Sequence, residues 1–139
     1  MYFCMTIIIL TKEEIIKFWL ESSEKDFQTM QHLYKSGDFM WSLFIGHLVI
    51  EKLLKAYYVQ MKDASYPMIH NLLRIAEKTG MELNDERQIF YSTVTSFNIN
   101  ARYDDYKQSF YQKCTRLYAS TWIEKIKDER LWIKSQLLK

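Results

Sequence analysis

Apolar and small residues recur at helical spacing after Thr11. Their steps of four and three residues place them on one face of a helix. The positions are Ile16, Leu20, Ser23, Phe27, Met30 and Tyr34. Thr11 and Glu14 have the spacing of a capping box, in which each side chain bonds an amide of the first turn. The pattern therefore predicts a first helix that begins at Thr11 and ends near Gly37.

The strongest periodic pattern follows Asp38, a residue type that can cap a helix. Its apolar stripe comprises Met40, Leu43, His47, Ile50, Leu54, Tyr57 and Met61. Steps that average about 3.5 residues suit shallow-angle packing against neighbouring helices, as in an antiparallel bundle. Pro67 ends this second helix or any continuation of it, and a shorter third helix in "IHNLLRIAEKTG" is expected to close at Gly80.

Two further helices are predicted, one from Asn84 to about Phe97 and one filling most of residues 112–137. Only three glycines and one proline interrupt the chain, so neither linkers nor short strands are indicated. Residues 11–139 should therefore form one all-α domain, an antiparallel four- to five-helix up-and-down bundle. Residues 1–10, "MYFCMTIIIL", are interpreted as an apolar N-terminal extension. It lacks a basic region and a cleavage site and is too short to span a bilayer, so no membrane association is expected.

Charge and cysteine content narrow the functional classes. Lys and Arg number 19 against 17 Asp and Glu, which is too even a balance for a general polyanion binder. Cys4 and Cys114 lie close neither to each other nor to a histidine, so the sequence predicts no disulfide framework, no metal site and no metal cofactor. A reduced, cytoplasmic protein is the simplest interpretation.

His47, Glu51 and Lys55 follow one another at intervals of four residues, so they share one edge of the second helix. A structural interpretation makes Glu51 and Lys55 a surface pair and His47 a hydrogen-bonded residue at the margin of the core. A functional interpretation makes the three the floor of a polar cleft that faces a ligand or a second subunit. His70, just before the third helix, is expected to cap an amide there.

Arg102, in "RYDDYK", is the other candidate. Its guanidinium could form a fork with a carboxylate, such as Asp26 or Glu51, or could hold a phosphate. Tyr103 and Tyr106 flank it, and tyrosine rings suit both base stacking and protein interfaces. The sequence contains no glycine-rich phosphate loop, no nucleophile near a histidine in sequence and no metal-ligand cluster. The residues alone therefore make a weak case for an enzyme.

Three segments, "GHLVIEKLLKAYYV", "PMIHNLLRIAEKTG" and "NARYDDY", resemble the HEPN domain in order and spacing. The resemblance covers about residues 11–135. It implies an antiparallel helical bundle that usually dimerises and is often encoded beside a minimal nucleotidyltransferase, with which it forms a toxin–antitoxin or nucleotide-binding pair. Nuclease members of the family carry an arginine followed several residues later by a histidine, and they cleave RNA without metal across the dimer.

Arg102 matches the arginine of that motif, but no histidine follows His70 in this chain. Metal-free RNA cleavage needs a group that exchanges protons near neutral pH, which is the property of histidine. We therefore expect a non-catalytic, homodimeric HEPN protein that binds a nucleotide or RNA ligand or a nucleotidyltransferase partner. A metal-independent RNase toxin and a structural dimerisation module are the alternatives. The expected cleft comprises Arg102, Tyr103, Tyr106, His47, Glu51 and Lys55.

Overall fold

The computed structural model describes residues 10–138, and within them the chain forms six α-helices and no strand. The helices are α1 (Lys12–Lys35), α2 (Phe39–Met61), α3 (Leu72–Thr79), α4 (Asp85–Arg102), α5 (Asp104–Lys113) and α6 (Arg116–Leu137). The predicted all-α bundle is confirmed. The proposed N-terminal extension, residues 1–10, lies outside the described residues except for Leu10.

The predicted helix ends agree with the structure at most positions. The Glu14 amide donates to Thr11 Oγ1 at 3.1 Å, and the Thr11 amide donates to Glu14 Oε1 at 2.8 Å, which completes the capping box. Gly37 and Gly80 have φ angles of +84° and +83°, so each uses the left-handed conformation that glycine adopts without a steric penalty. Asp38 occupies the cap position of α2, but its side chain makes no capping hydrogen bond.

Helix α2 is the central element, and it packs against each of the other five helices. Leu43, Ile50 and Leu54 are fully buried and Tyr57 is nearly so, which confirms the predicted stripe. Because so many neighbours surround α2, its polar edge is also enclosed. This enclosure determines the environment of His47 and the residues that follow it on the same edge.

Helices α1 and α6 both approach the α2 backbone at Gly46. A Cβ atom on this residue would lie only 2.7 Å from Ile126 Cδ1 and 3.2 Å from Met30 Sδ. The two outer helices also contact each other directly, since Arg130 of α6 donates from Nη2 to Glu24 Oε1 of α1 at 2.6 Å. The last helix in the chain therefore closes the bundle against the first two.

The region around Arg102 differs from the sequence-based prediction. Helix α4 does not end near Phe97 but continues to Arg102, and a separate helix, α5, follows it. Tyr103 has an extended conformation (φ −95°, ψ 127°) and serves as the boundary of both helices. Only Phe110 of α5 is buried, stacked 5.6 Å from Phe97 between ring centroids. With one buried position, α5 has no apolar repeat from which it could be predicted.

The final helix begins at Arg116 rather than at about residue 112, with Thr115 as its cap. The Thr115 side chain accepts a hydrogen bond from the Tyr118 amide. Across residues 10–138, no helix combines the length and the apolar character needed to cross a membrane.

Candidate functional site

Arg102 is the last residue of α4, and its side chain is exposed. Its Nε donates a short hydrogen bond to Oδ1 of Asn98, which lies one turn earlier and is buried. Neither carboxylate considered from the sequence binds it: Asp26 pairs with Lys52 at 2.6 Å, and Glu51 has other partners. Among the described residues, no hydrogen bond or ion pair engages the two terminal guanidinium nitrogens. The arginine is thus anchored through Nε, and its two terminal nitrogens can donate hydrogen bonds to a ligand.

His47 is completely buried beside Asn98. Its Nε2 lies 2.9 Å from the His70 carbonyl oxygen, and its Nδ1 lies 3.4 Å from Asn98 Nδ2. Because a carbonyl only accepts, Nε2 carries the proton and Nδ1 presents a lone pair. Burial lowers the pKa of His47, even though the His70 carbonyl and Glu51 act in the opposite direction. His47 is therefore neutral and cannot act as an exposed acid or base.

Glu51 and Lys55 form a buried ion pair rather than the surface pair considered in the structural interpretation. They are only 4% and 5% exposed, and Lys55 Nζ donates to Glu51 Oε2 at 2.9 Å. The ammonium group also lies 5.3 Å from the centroid of the Trp19 ring. The other carboxylate oxygen, Oε1, lies 3.0 Å from Nδ1 of His70. Both oxygens of Glu51 are thus occupied by basic groups, which offsets part of the cost of burial.

His70 does not cap α3 as the sequence had indicated. The cap is Asn71, whose Oδ1 accepts from the Arg74 amide at 3.1 Å. The start of α3 is also tied to α4, since the Leu72 amide donates to Thr95 Oγ1 at 3.0 Å. The His70 side chain is 65% exposed, and its Nε2 has no hydrogen-bond partner in residues 10–138. The structure thus fixes the residue through its carbonyl and Nδ1 and turns the rest of the ring to solvent.

These contacts form one continuous α2–α4 polar network. Its members, in order of contact, are Lys55, Glu51, His70, His47, Asn98 and Arg102. Its interior is buried, and it reaches solvent at Arg102 and at His70. Four of the six residues predicted for the cleft belong to it, but three of those four are buried. They support the exposed groups and do not line an open cleft.

Asn98 and the actual role of His70 were missed in the sequence. The spacing of Asn98 and Arg102, four residues apart on a helix, was the available signal. The two remaining predicted residues, Tyr103 and Tyr106, are 52% and 54% exposed. The Arg102 guanidinium lies 5.3 Å from the centroid of the Tyr103 ring. We call these three exposed side chains, Arg102, Tyr103 and Tyr106, the Arg102 surface.

No group of three or more metal-ligating side chains occurs in the part of the chain that the structure describes. His47, Glu51 and His70 lie together, but both ring nitrogens of His47 and both carboxylate oxygens of Glu51 have hydrogen-bond partners, and only Nε2 of His70 has none among the described residues. In these three residues, the hydrogen-bond partners determine which nitrogen or oxygen atom carries each proton.

Comparison with known protein families identifies the fold. The family model of the HEPN domain matches residues 16–135. The chain belongs to the HEPN domain family. The match begins within α1 and ends within α6, so it includes the whole α2–α4 polar network of this HEPN domain. Searches of curated proteins and of solved structures gave no significant match. Membership of the HEPN family supports a nucleotide- or RNA-related role in general terms.

Proposed function

We propose that this HEPN domain binds a nucleotide, or a nucleotidyltransferase partner, at the Arg102 surface and does not cleave RNA. The observation that carries the proposal is the state of Arg102, whose Nε is bound to Asn98 while both terminal nitrogens are unpaired among the described residues. A phosphate or carboxylate can accept two parallel hydrogen bonds from such a guanidinium. The arginine is therefore oriented for an anion that the domain itself does not supply.

The neighbouring side chains favour a ligand of small total charge. Tyr103 and Tyr106 present exposed rings that can stack a base or contact a protein partner. Asp104 and Asp105 occupy the first turn of α5 and are exposed. These carboxylates repel an extended phosphate backbone, whose binding depends on many cationic contacts. A single nucleotide, or the nucleotide-carrying surface of a partner, fits this charge pattern better than a long RNA does.

One observation favours the alternative, cleavage of RNA without metal. His70 presents an exposed imidazole with Nδ1 held by Glu51 and Nε2 unpaired in the described structure. An imidazole oriented in this way by a carboxylate can accept a proton from a hydroxyl group. This residue precedes Arg102 in sequence and so does not satisfy the arginine-then-histidine order of the nuclease motif. We therefore rank binding above cleavage.

The test compares wild type with Arg102→Ala in metal-free buffer, with labelled ATP, a labelled single-stranded RNA and a co-purified minimal nucleotidyltransferase as probes. Arg102→Ala should weaken binding of at least one probe by about 10-fold or more, because a charge-assisted pair is lost. Its free energy of unfolding should fall by about 1–3 kcal/mol at most, the cost of leaving the buried Asn98 Oδ1 without its donor, and the variant should stay folded. Arg74→Ala, at an exposed position of α3, is the matched control and should bind as wild type does.

Equal binding by wild type and Arg102→Ala would contradict the proposal. RNA cleavage by wild type that disappears in both Arg102→Ala and His70→Ala would establish the nuclease alternative. Unfolding of Arg102→Ala, together with no binding of any probe by wild type, would instead make the arginine a structural clamp between helices.

A further inference from the structure

Arg102 is linked to the His70 carbonyl through Asn98 and His47. In this series of hydrogen bonds, each residue donates to the next one. The Nε–H of Arg102 can only donate, and the backbone carbonyl of His70 can only accept. Asn98 must therefore turn Oδ1 toward Arg102 and Nδ2 toward His47. His47 must in turn accept at Nδ1 and donate from Nε2. Both ends of the series are chemically unambiguous, so a single arrangement of hydrogens satisfies every contact.

We infer that Asn98 and His47 are positioning residues for Arg102, and that a neutral His47 is required for anion binding at the Arg102 surface. The inference rests on the proposed function for its ligand, but the positioning itself can be observed without any ligand. It adds to the binding proposal a coupling between the protonation state of His47 and the orientation of Arg102. The orientation of an exposed arginine on α4 depends on a buried imidazole of α2 and on the backbone that precedes α3.

Adding a proton to His47 disrupts this arrangement. The new Nδ1–H would face the NH₂ group of Asn98, so that two donors would meet. Rotation of the Asn98 amide would present Oδ1 to His47, but it would turn the NH₂ group toward the Nε–H of Arg102. In either orientation one hydrogen bond is lost, and Arg102 is released from its anchor or His47 is left unpaired. Arginine loses less conformational freedom on binding when it is already oriented, so release weakens binding.

The groups that face His47 come from three parts of the fold. Glu51 lies on the same helix with Oε1 3.8 Å from Nε2, and Lys55 lies one turn further along. His70 approaches from the segment before α3, while Asn98, from α4, is uncharged and connects to the cationic Arg102. Burial, and to a smaller extent the charges of the His70 ring and Lys55, favour the neutral imidazole, whereas the His70 carbonyl and Glu51 favour the protonated one. The pKa of His47 is lowered as a net result.

The first measurement records the ring nitrogen signals of His47 and the Nε–H signal of Arg102 by NMR in ligand-free protein. At pH 7.5, wild type should show the neutral, Nε2-protonated form of His47 and a slowly exchanging Arg102 Nε–H. Asn98→Leu should lose the slow exchange of Arg102, whereas Asn98→Asp should retain it, because a carboxylate still accepts from Nε. The carboxylate should also keep His47 protonated to higher pH. An Nδ1-protonated neutral His47 in wild type would overturn the inference.

The second measurement follows binding of labelled ATP, RNA or the nucleotidyltransferase, whichever probe wild type binds, from pH 5.5 to 8. Wild type should lose affinity in parallel with protonation of His47. Asn98→Leu should bind about 10-fold more weakly at pH 8 and show no matching loss on acidification. Asn100→Leu, at a half-buried position of the same helix, is the matched control and should follow wild type. Wild-type affinity in Asn98→Leu would contradict the inference.

The outcomes separate this inference from the binding proposal. Loss of binding in Arg102→Ala but not in Asn98→Leu leaves the proposed function standing and removes the positioning role. If Arg102 is ordered in wild type but not in Asn98→Leu, and Arg102→Ala changes the binding of no probe, the positioning role stands and the proposed function is removed. If Asn98→Leu fails to fold, Asn98→Asp decides the question through the pKa of His47 and the Arg102 signal.

Discussion

Two regions of this HEPN domain combine an arginine with a carboxylate that packs between helices, buried in Glu51 and half-buried in Glu129, but only one region leaves polar groups open to a ligand. Between α4 and α6, Arg87 donates to Glu129 from Nε at 2.8 Å and from Nη2 at 3.3 Å, and the Tyr91 hydroxyl donates to the same carboxylate. The Arg87 guanidinium also lies 3.7 Å from the centroid of the Trp132 ring. In this α4–α6 cluster, formed by Arg87, Tyr91 and Glu129, each side chain is hydrogen-bonded to another member of the cluster.

The α2–α4 polar network has the opposite organisation. It begins at exposed terminal nitrogens of Arg102 and reaches solvent again at His70, and its interior fixes both groups. The kinds of residue are similar in the two regions, so residue type does not distinguish a structural cluster from a site. The distinguishing feature is the presence of oriented polar groups that the described chain leaves without partners.

The two regions also differ in proton chemistry. Burial and the neighbouring Glu129 carboxylate raise the pKa of Tyr91 above its usual range, so its hydroxyl remains a donor throughout the physiological pH range. Burial lowers the pKa of His47, whose ordinary value is close to physiological pH. The α4–α6 cluster therefore keeps its protonation state near neutral pH, whereas the α2–α4 polar network gains a proton at His47 on acidification.

The largest expected effect comes from removing the carboxylate at the centre of the open network. Glu51→Ala leaves Lys55 buried without its counter-ion and should lower the free energy of unfolding by about 3–5 kcal/mol. Urea denaturation measures the change. The double variant Glu51→Leu with Lys55→Met is the control and should recover most of the loss, since replacing both charges with apolar groups avoids the unpaired ammonium. A loss below about 1 kcal/mol for Glu51→Ala would show that the pair is solvated.

A smaller effect is expected in the closed cluster. Tyr91→Phe removes one hydrogen bond to a charged acceptor and should cost about 1.5–3 kcal/mol of stability. Because the cluster does not reach the Arg102 surface, binding of the probes should not change. Tyr111→Phe, at an exposed position, is the matched control and should alter neither quantity. A change in ligand affinity for Tyr91→Phe would end the distinction between the two regions.

The smallest effect is the dependence of stability on pH. The folded-state pKa of His47 lies below its unfolded value of about 6.5, so the unfolded chain binds more protons as pH falls through this range. The contribution of His47 to stability is therefore complete above about pH 6.5 and is lost on acidification, by at most about 1.4 kcal/mol per pH unit.

Unfolding free energies of wild type and His47→Gln, measured from pH 5 to 8, test this expectation. The wild-type curve should fall more steeply below about pH 6.5, since glutamine does not titrate there. Parallel curves would mean that His47 is protonated to the same extent in both states. Tyr91→Phe should run parallel to wild type, as the closed cluster has no group that titrates in this window.

The main helices could be predicted because they bury regular apolar stripes. Leu43, Ile50 and Leu54 repeat at the spacing that the bundle requires, and all three are buried. Helix α5 could not be predicted, since it buries only Phe110 and begins after the single extended residue Tyr103. The length of a helix is visible in sequence only where enough of its residues face the core.

The site was predictable only in part. Spacing correctly placed His47, Glu51 and Lys55 on one edge of α2, but whether that edge is exposed depends on five other helices. The structural interpretation of Glu51 and Lys55 as a surface pair was wrong for this reason. His70 was wrongly assigned to capping because its partner, Glu51, lies 19 residues away. The homodimer, the nucleotidyltransferase partner and the cytoplasmic location stay predictions.

The close approach at Gly46 has a consequence for how the protein is made. Met30 and Ile126 press against the same point of α2, yet they belong to helices that leave the ribosome at very different times. A nascent chain that has not yet reached Arg116 can form the α1–α2 hairpin but leaves the α6-facing side of α2 uncovered. Exposed apolar surface of this kind is what chaperones recognise and what causes aggregation. Synthesis of α6 is therefore the step at which the nascent domain buries this apolar surface of α2.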